Sequence, residues 1–154
     1  MERDALFQAI TAKFPEAQPA ENLQFPELKV PKEKFRGLME FLHDDPALKL
    51  DYPMCQTAVD WLEEKKITVA YHLFSVDHRH KLVVKVDLER DKPSLPTVSD
   101  LWRGCEWFER ETYDMYGVVF EYHPDMRRLM LTDDWVGHPL RKDYKDSRIA
   151  GKAF

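Results

Sequence analysis

The run Ile67-Thr68-Val69-Ala70-Tyr71-His72-Leu73-Phe74-Ser75-Val76, then Asp77-His78-Arg79-His80, then Lys81-Leu82-Val83-Val84-Lys85-Val86-Asp87-Leu88, reads as two strands joined by a polar turn. In the first strand Ile67, Val69, Tyr71 and Leu73 alternate with Thr68, Ala70, His72 and Phe74. Both sets are largely apolar, the pattern of a central strand. In the second, Leu82, Val84, Val86 and Leu88 point one way, and Val83, Lys85 and Asp87 the other. The short polar connection makes the pair an antiparallel hairpin.

Working outward, Met54 to Leu62 is a third strand, turned back by Glu63-Glu64-Lys65-Lys66. Before it, Phe35, Leu38, Met39 and Leu42 recur at i, i+3, i+4 and i+7, with Lys32, Lys34, Arg36 and Glu40 opposite. This is an amphipathic helix that covers one sheet face. Pro31 suits its first turn, and Asp44-Asp45-Pro46 stops it. Leu23 to Val30 reads as a short strand that Pro26 demotes to an edge. Residues 1–14 form a helix on Leu6, Phe7, Ile10 and Phe14, ended by Pro15, with a loop from there to Asn22.

Downstream, Thr97 with Asp100 three residues later resembles a capping box. It opens a helix that Gly104 kinks and Gly117 caps. Leu101, Cys105, Phe108, Thr112 and Met115 trace one face; Glu106, Arg110 and Asp114 trace another and are spaced to pair along the helix. Val118 to Phe120 and Leu129 to Leu131 read as short strands. Residues 141–154 carry five basic and two acidic side chains without apolar periodicity. Such a tail either dangles or is ordered by a partner. The expected fold is α+β and two-layered: a mixed, mainly antiparallel sheet with helices on one face and an extended C-terminal arm. The divisions are 1–22, an N-terminal helix and loop; 23–136, the α+β domain; and 137–154, the basic arm.

At 154 residues, with 44% hydrophobic and 33% charged residues, the chain can bury a real core. The net charge of −5 gives no global pull toward nucleic acid or anionic lipid. Two cysteines, Cys55 and Cys105, far apart and outside any Cys-x-x-Cys, offer neither a disulfide scaffold nor an iron–sulfur ligand set. The N-terminus lacks a secretion signal, and no apolar run approaches bilayer length.

The chemistry-bearing residues divide into three sets. His78-x-His80 lies in a polar turn without the partner spacing of a metal site. His72 reads as a core histidine, and His123-Pro124 and His138-Pro139 are rigid turns. Glu109, Glu111 and Asp114 form a carboxylate cluster that could hold a raised pKa, which keeps a free-standing enzyme open as an alternative; ion pairing with Arg110 is simpler. The five glycines form no phosphate-cradling loop, which leaves nothing to cradle a pyrophosphate. Arg127, Arg128, Arg141 and Lys142, stiffened by prolines and aromatics, leave two readings open. They dock a carboxylate on a partner, or they pin the loops to this domain's own helix.

The segment from Trp107 to Tyr144 also carries a resemblance. Glu109-Arg110-Glu111, Asp114, Gly117, His123-Pro124-Asp125, Arg127-Arg128 and Gly137-His138-Pro139-Leu140-Arg141-Lys142-Asp143 stand in the order and spacing of a known family. They resemble the thirty-kilodalton subunit family of respiratory complex I, the C subunit of bacterial NADH-quinone oxidoreductases. Val59-Asp60 and Tyr71-His72-Leu73 extend the likeness, with Trp61 where relatives have Tyr. The resemblance implies a non-redox structural subunit of the peripheral arm, on the cytoplasmic side of the membrane. It implies that this chain binds no cofactor itself: FMN and iron–sulfur clusters lie in partner subunits. The implied partners are the large D subunit and the cluster-carrying B and I subunits, with no nucleic acid and with membrane contact only through the complex. Related subunits also occur in membrane-bound hydrogenases and other quinone- or ferredoxin-linked complexes. The resemblance implies interface or signature roles for Glu109, Arg110, Glu111, Asp114, His123, Arg127, Arg128, His138, Arg141, Lys142 and Asp143.

Overall fold

A computed structural model describes residues 3–20 and 24–146. The elements in order are α1 (Arg3–Lys13), β1 (Gln18–Ala20), β2 (Glu27–Lys29), α2 (Lys32–Asp44), β3 (Tyr52–Trp61), β4 (Lys66–Phe74), β5 (Lys81–Glu89), β6 (Ser94–Pro96), α3 (Cys105–Tyr116) and β7 (Val119–Glu121). Five strands form one sheet in the order β1-β2-β5-β4-β3, antiparallel except where β2 meets β5. A parallel pair, β6 with β7, stands apart.

The period-2 alternation sets the layers. Leu28, Val84, Tyr71 and Gln56 lie in one row across the sheet, followed by Val86, Val69 and Ala58, and by Leu88, Ile67 and Asp60. All of these are buried. The Phe35 ring of α2 lies 5.3 Å from Tyr71, and Thr112 of α3 donates to Gln56 at 3.1 Å. Both helices therefore cover the same face, as expected of a two-layer α+β domain. Each large apolar side chain enclosed between the layers contributes roughly 1.5–3 kcal/mol.

Several local expectations are corrected. The stretch after Pro15 is not all loop, because Gln18–Ala20 forms β1 and takes the sheet edge. β2 is therefore an interior strand, and Pro26 precedes it, where its missing N–H interrupts no ladder while its carbonyl accepts from Val83 at 2.8 Å. Met1, Glu2 and residues 21–23, parts of the expected helix, loop and edge strand, lie outside the described residues. α3 begins at Cys105 with Gly104 as its N-cap, rather than at Thr97. Thr97 does not cap α3: its hydroxyl accepts from the Ser99 amide at 3.1 Å within the preceding turn and donates to Glu109, while Asp100 binds Arg36. Gly117 does cap the helix in the left-handed region, φ 75°, its N–H donating to Tyr113. Leu129–Leu131 is no strand. Val83 faces outward but is buried, and His80, placed in a polar turn, is buried as well.

Candidate functional site

α3 ends without a basic residue in its last turn, leaving four carbonyls to satisfy. The Gly117 amide takes the Tyr113 carbonyl at 2.8 Å. The C-terminal arm takes the other three. His138 Nδ1 donates to the Asp114 carbonyl at 3.0 Å, the Leu140 amide to Met115 at 3.1 Å, and Arg141 Nε to Tyr116 at 2.7 Å. This close approach needs glycine at 117, since a Cβ there would meet the His138 ring at 2.6 Å.

Three buried carboxylates hold the adjoining segments: Asp114 the stretch from Arg128 to Leu131, Asp60 the arm, and Glu109 the loop before α3. Asp114 accepts from Arg128 at 2.6 Å and from the amides of Leu129, Met130 and Leu131 at 3.1, 2.7 and 2.9 Å. Burial alone raises its pKa, but Arg128 and the three amides outweigh it and hold the carboxyl below its ordinary value. This fan of amides is why Leu129–Leu131 makes no strand. Arg128 continues to the carbonyls of Trp135 and Gly137 at 2.9 and 3.0 Å.

Asp60, inward-facing on β3, accepts from Arg90 Nε and Nη2 at 2.6 and 2.9 Å and from the Lys142 amide at 2.8 Å. Its carboxyl is held low, chiefly by Arg90. Arg90 also binds Asp143, which joins the arm to the end of the sheet.

Glu109 is fully enclosed. It accepts from the Val98 amide at 2.9 Å and from the Thr97 hydroxyl, and lies 3.9 Å from His123 Nε2. Burial pushes its pKa up to about 7, against the opposing hydrogen bonds. His123 Nδ1 accepts from the Asp125 amide at 3.0 Å, so its ring proton sits on Nε2, which faces the Glu106 carbonyl at 3.1 Å.

Of the residues singled out from sequence, Asp114, Arg128, His138, Arg141 and Asp143 meet where the arm joins α3 and the sheet end, while Glu109, Arg110 and His123 tie α3 to the 97–98 and 123–128 segments. Arg110 donates to the carbonyls of Arg127 and Arg128 at 3.2 and 3.1 Å. It does not pair along the helix with Asp114: Arg110 turns to the 125–128 segment and Asp114 takes Arg128 and the amides that follow it. Glu111, Lys142 and Arg127 expose their side chains, Arg127 in a pair with Asp125 at 2.5 Å. The expected carboxylate cluster is not a cluster: Glu109 and Asp114 occupy separate enclosed sites, and Glu111 faces solvent. The part of the tail read as dangling or partner-ordered is, up to Asp146, ordered on its own domain; residues 147–154 lie outside the described residues.

The sequence reading missed Arg90, and it gave Asp60 no role. A signal was present: a lone acid in phase with inward-facing Gln56 and Ala58 requires a buried cation. A groove of about 860 Å³ opens near the start of α3, lined by Arg36, Thr97, Asp100, Arg103, Tyr122 and Pro124 among others. Its Arg36 is already held by Asp100 at 2.7 Å, and neither Glu109 nor Asp114 lines it.

Known proteins are similar to this chain in sequence and in fold. The NADH-quinone oxidoreductase C subunit of Chloroherpeton thalassium is 43% identical over 116 residues, 75% of this chain and 48% of that protein. The NADH-quinone oxidoreductase C/D subunit of Phocaeicola vulgatus is 47% identical over 121 residues, 78% of this chain but 23% of that longer polypeptide. This chain thus spans about half or less of these two relatives. A chain of the membrane-bound sulfane sulfur reductase, an archaeal respiratory membrane complex, superposes with a TM-score of 0.80 at 30% identity, covering 94% of this chain and 86% of that one. A trypsin-resistant fragment of Nqo5 gives 0.70 at 28% identity, covering 80% and 99%. With residues 28–148 matching its model, the chain belongs to the respiratory-chain NADH dehydrogenase 30 Kd subunit family.

Proposed function

We propose that the chain is a non-redox structural subunit in the peripheral arm of a proton-translocating NADH:quinone oxidoreductase. It supports electron transfer from NADH to quinone through FMN and iron–sulfur centres held by neighbouring subunits. Its neighbours are chiefly the D, B and I subunits, on the cytoplasmic side. One observation carries this reading. Asp60, Asp114 and Glu109 are occupied in fixing backbone, so the family's most charged segment is a rigid frame. A frame that does not flex holds neighbouring redox carriers at fixed separations. Among the described residues no helix is long and apolar enough to cross a membrane. Purification of the native assembly tests the reading: co-isolation with flavin- and cluster-bearing subunits and NADH:quinone activity is expected. NADH oxidation or other turnover by the isolated chain overturns it.

A second reading follows from the similarity to the chain of the sulfane sulfur reductase complex: the same frame serves in a related complex with a different electron donor. The identity of the co-isolated subunits, and whether the assembly oxidises NADH, separates the two.

A further inference from the structure

β3 is one edge of the five-stranded sheet, and among the described residues no strand pairs with its outer side. Edge strands that face water carry protection: brevity, prolines, lysines or bulges. β1, at the opposite edge, has three residues and Pro19. β3 has ten residues and is protected at one end only, by Pro53 and the irregularity between Pro53 and Cys55. From Cys55 to Trp61 its outward side chains are Cys55, Thr57, Val59 and Trp61, none of them charged. Val59, Trp61 and adjacent Leu62 are 41%, 44% and 43% exposed. The inward side chains are locked, Gln56 by Thr112 and Asp60 by Arg90 and Lys142, so the strand cannot turn its edge away.

We propose that β3 receives an additional β-strand from a neighbouring subunit of the assembly. The strand pairs by main chain along Cys55–Trp61 and lays uncharged side chains beside Val59 and Trp61. This deepens the subunit reading and rests on it. A second copy of this chain is the poorer occupant. Antiparallel pairing of two β3 strands about Thr57 would set Pro53 and its irregularity opposite Trp61, which removes ladder bonds where the apolar exposure is greatest. A neighbouring subunit is also favoured by position. The arm reaches the Trp61 end of β3 through Lys142 on Asp60, and the C/D relative carries its counterpart of this region within one longer polypeptide.

Cys55 is exposed on this strand and Cys105 is buried, so thiol alkylation reports on the edge. The test compares maleimide labelling of Cys55, read by mass spectrometry, in the isolated chain and in the purified assembly. Labelling slowed by about tenfold or more in the assembly is expected, as for an edge covered by a strand. The double variant Thr57→Lys/Val59→Lys, which installs the usual edge protection, is expected to lose co-purification while shifting the isolated chain's Tm by less than about 3 °C. Labelling at the free-chain rate inside the assembly overturns the proposal and leaves the subunit reading standing. Failure of the wild-type chain to co-purify with NADH dehydrogenase subunits overturns both. A homodimer of the isolated chain that the double variant dissolves overturns the choice of occupant.

Discussion

Asp114 and Glu109 sit on the same helix, both are buried, and they answer pH in opposite directions. Asp114 has a folded pKa below its unfolded value, so its contribution is present above the ordinary carboxylate range and is lost as pH falls through the folded value. Asp114→Asn leaves Arg128 without its carboxylate and weakens three amide bonds; a loss of about 3–5 kcal/mol in urea unfolding at neutral pH is expected. Glu109 has a folded pKa of about 7 against an ordinary 4.5. The folded chain therefore binds its proton more tightly than the unfolded chain, and stability falls as pH rises from about 4.5 to 7. Glu109→Gln keeps an acceptor for the Val98 amide and removes the titration. It is expected to flatten that segment of the stability–pH curve and, near pH 8, to match or exceed the parent by up to about 3 kcal/mol. A Gln variant that keeps the parent's slope between pH 4.5 and 7 assigns that slope to another group.

At the scale of elements, the joint between α3 and the arm behaves as one unit. Gly117→Ala places a methyl in the left-handed region and into the His138 ring. The cost is about 1–3 kcal/mol from the backbone alone, and limited proteolysis is expected to cut the arm earlier than in the parent. Arg141→Glu removes the donor to the Tyr116 carbonyl and sets a carboxylate near Asp60. A fall of roughly 4–8 °C in Tm is expected for a loss of about 2 kcal/mol in a chain of this size. An unchanged Tm would return Arg141 to a purely partner-facing role. The two readings of the arginine-rich segment thus divide by side chain. Arg128 and Arg141 face inward, while Arg127 and Lys142 remain exposed, as does Glu111.

At the scale of the whole molecule, a sheet with one covered face and an uneven pair of edges is welded to an arm that adds almost no regular structure. The periodicities of Ile67–Leu88 and Phe35–Leu42 were sufficient for the sheet core, the covering helix and the two-layer class, because alternation and the helical repeat are local consequences of backbone geometry. The spacing of charged and aromatic residues from Glu109 to Asp143 was sufficient for the family. The start of α3 was not legible: Thr97 looks like a cap locally, and the enclosed carboxylate that captures its hydroxyl lies on the helix itself, beyond its first turn. Nor was the place of Gln18–Ala20, whose strand exists only because β2 lies beside it. The sequence by itself determined the sheet core, its covering helix and the lineage they belong to. Only the tertiary structure decided how the arm is held, because Asp60, Arg90 and Asp143 meet across long separations in the chain that no local pattern encodes.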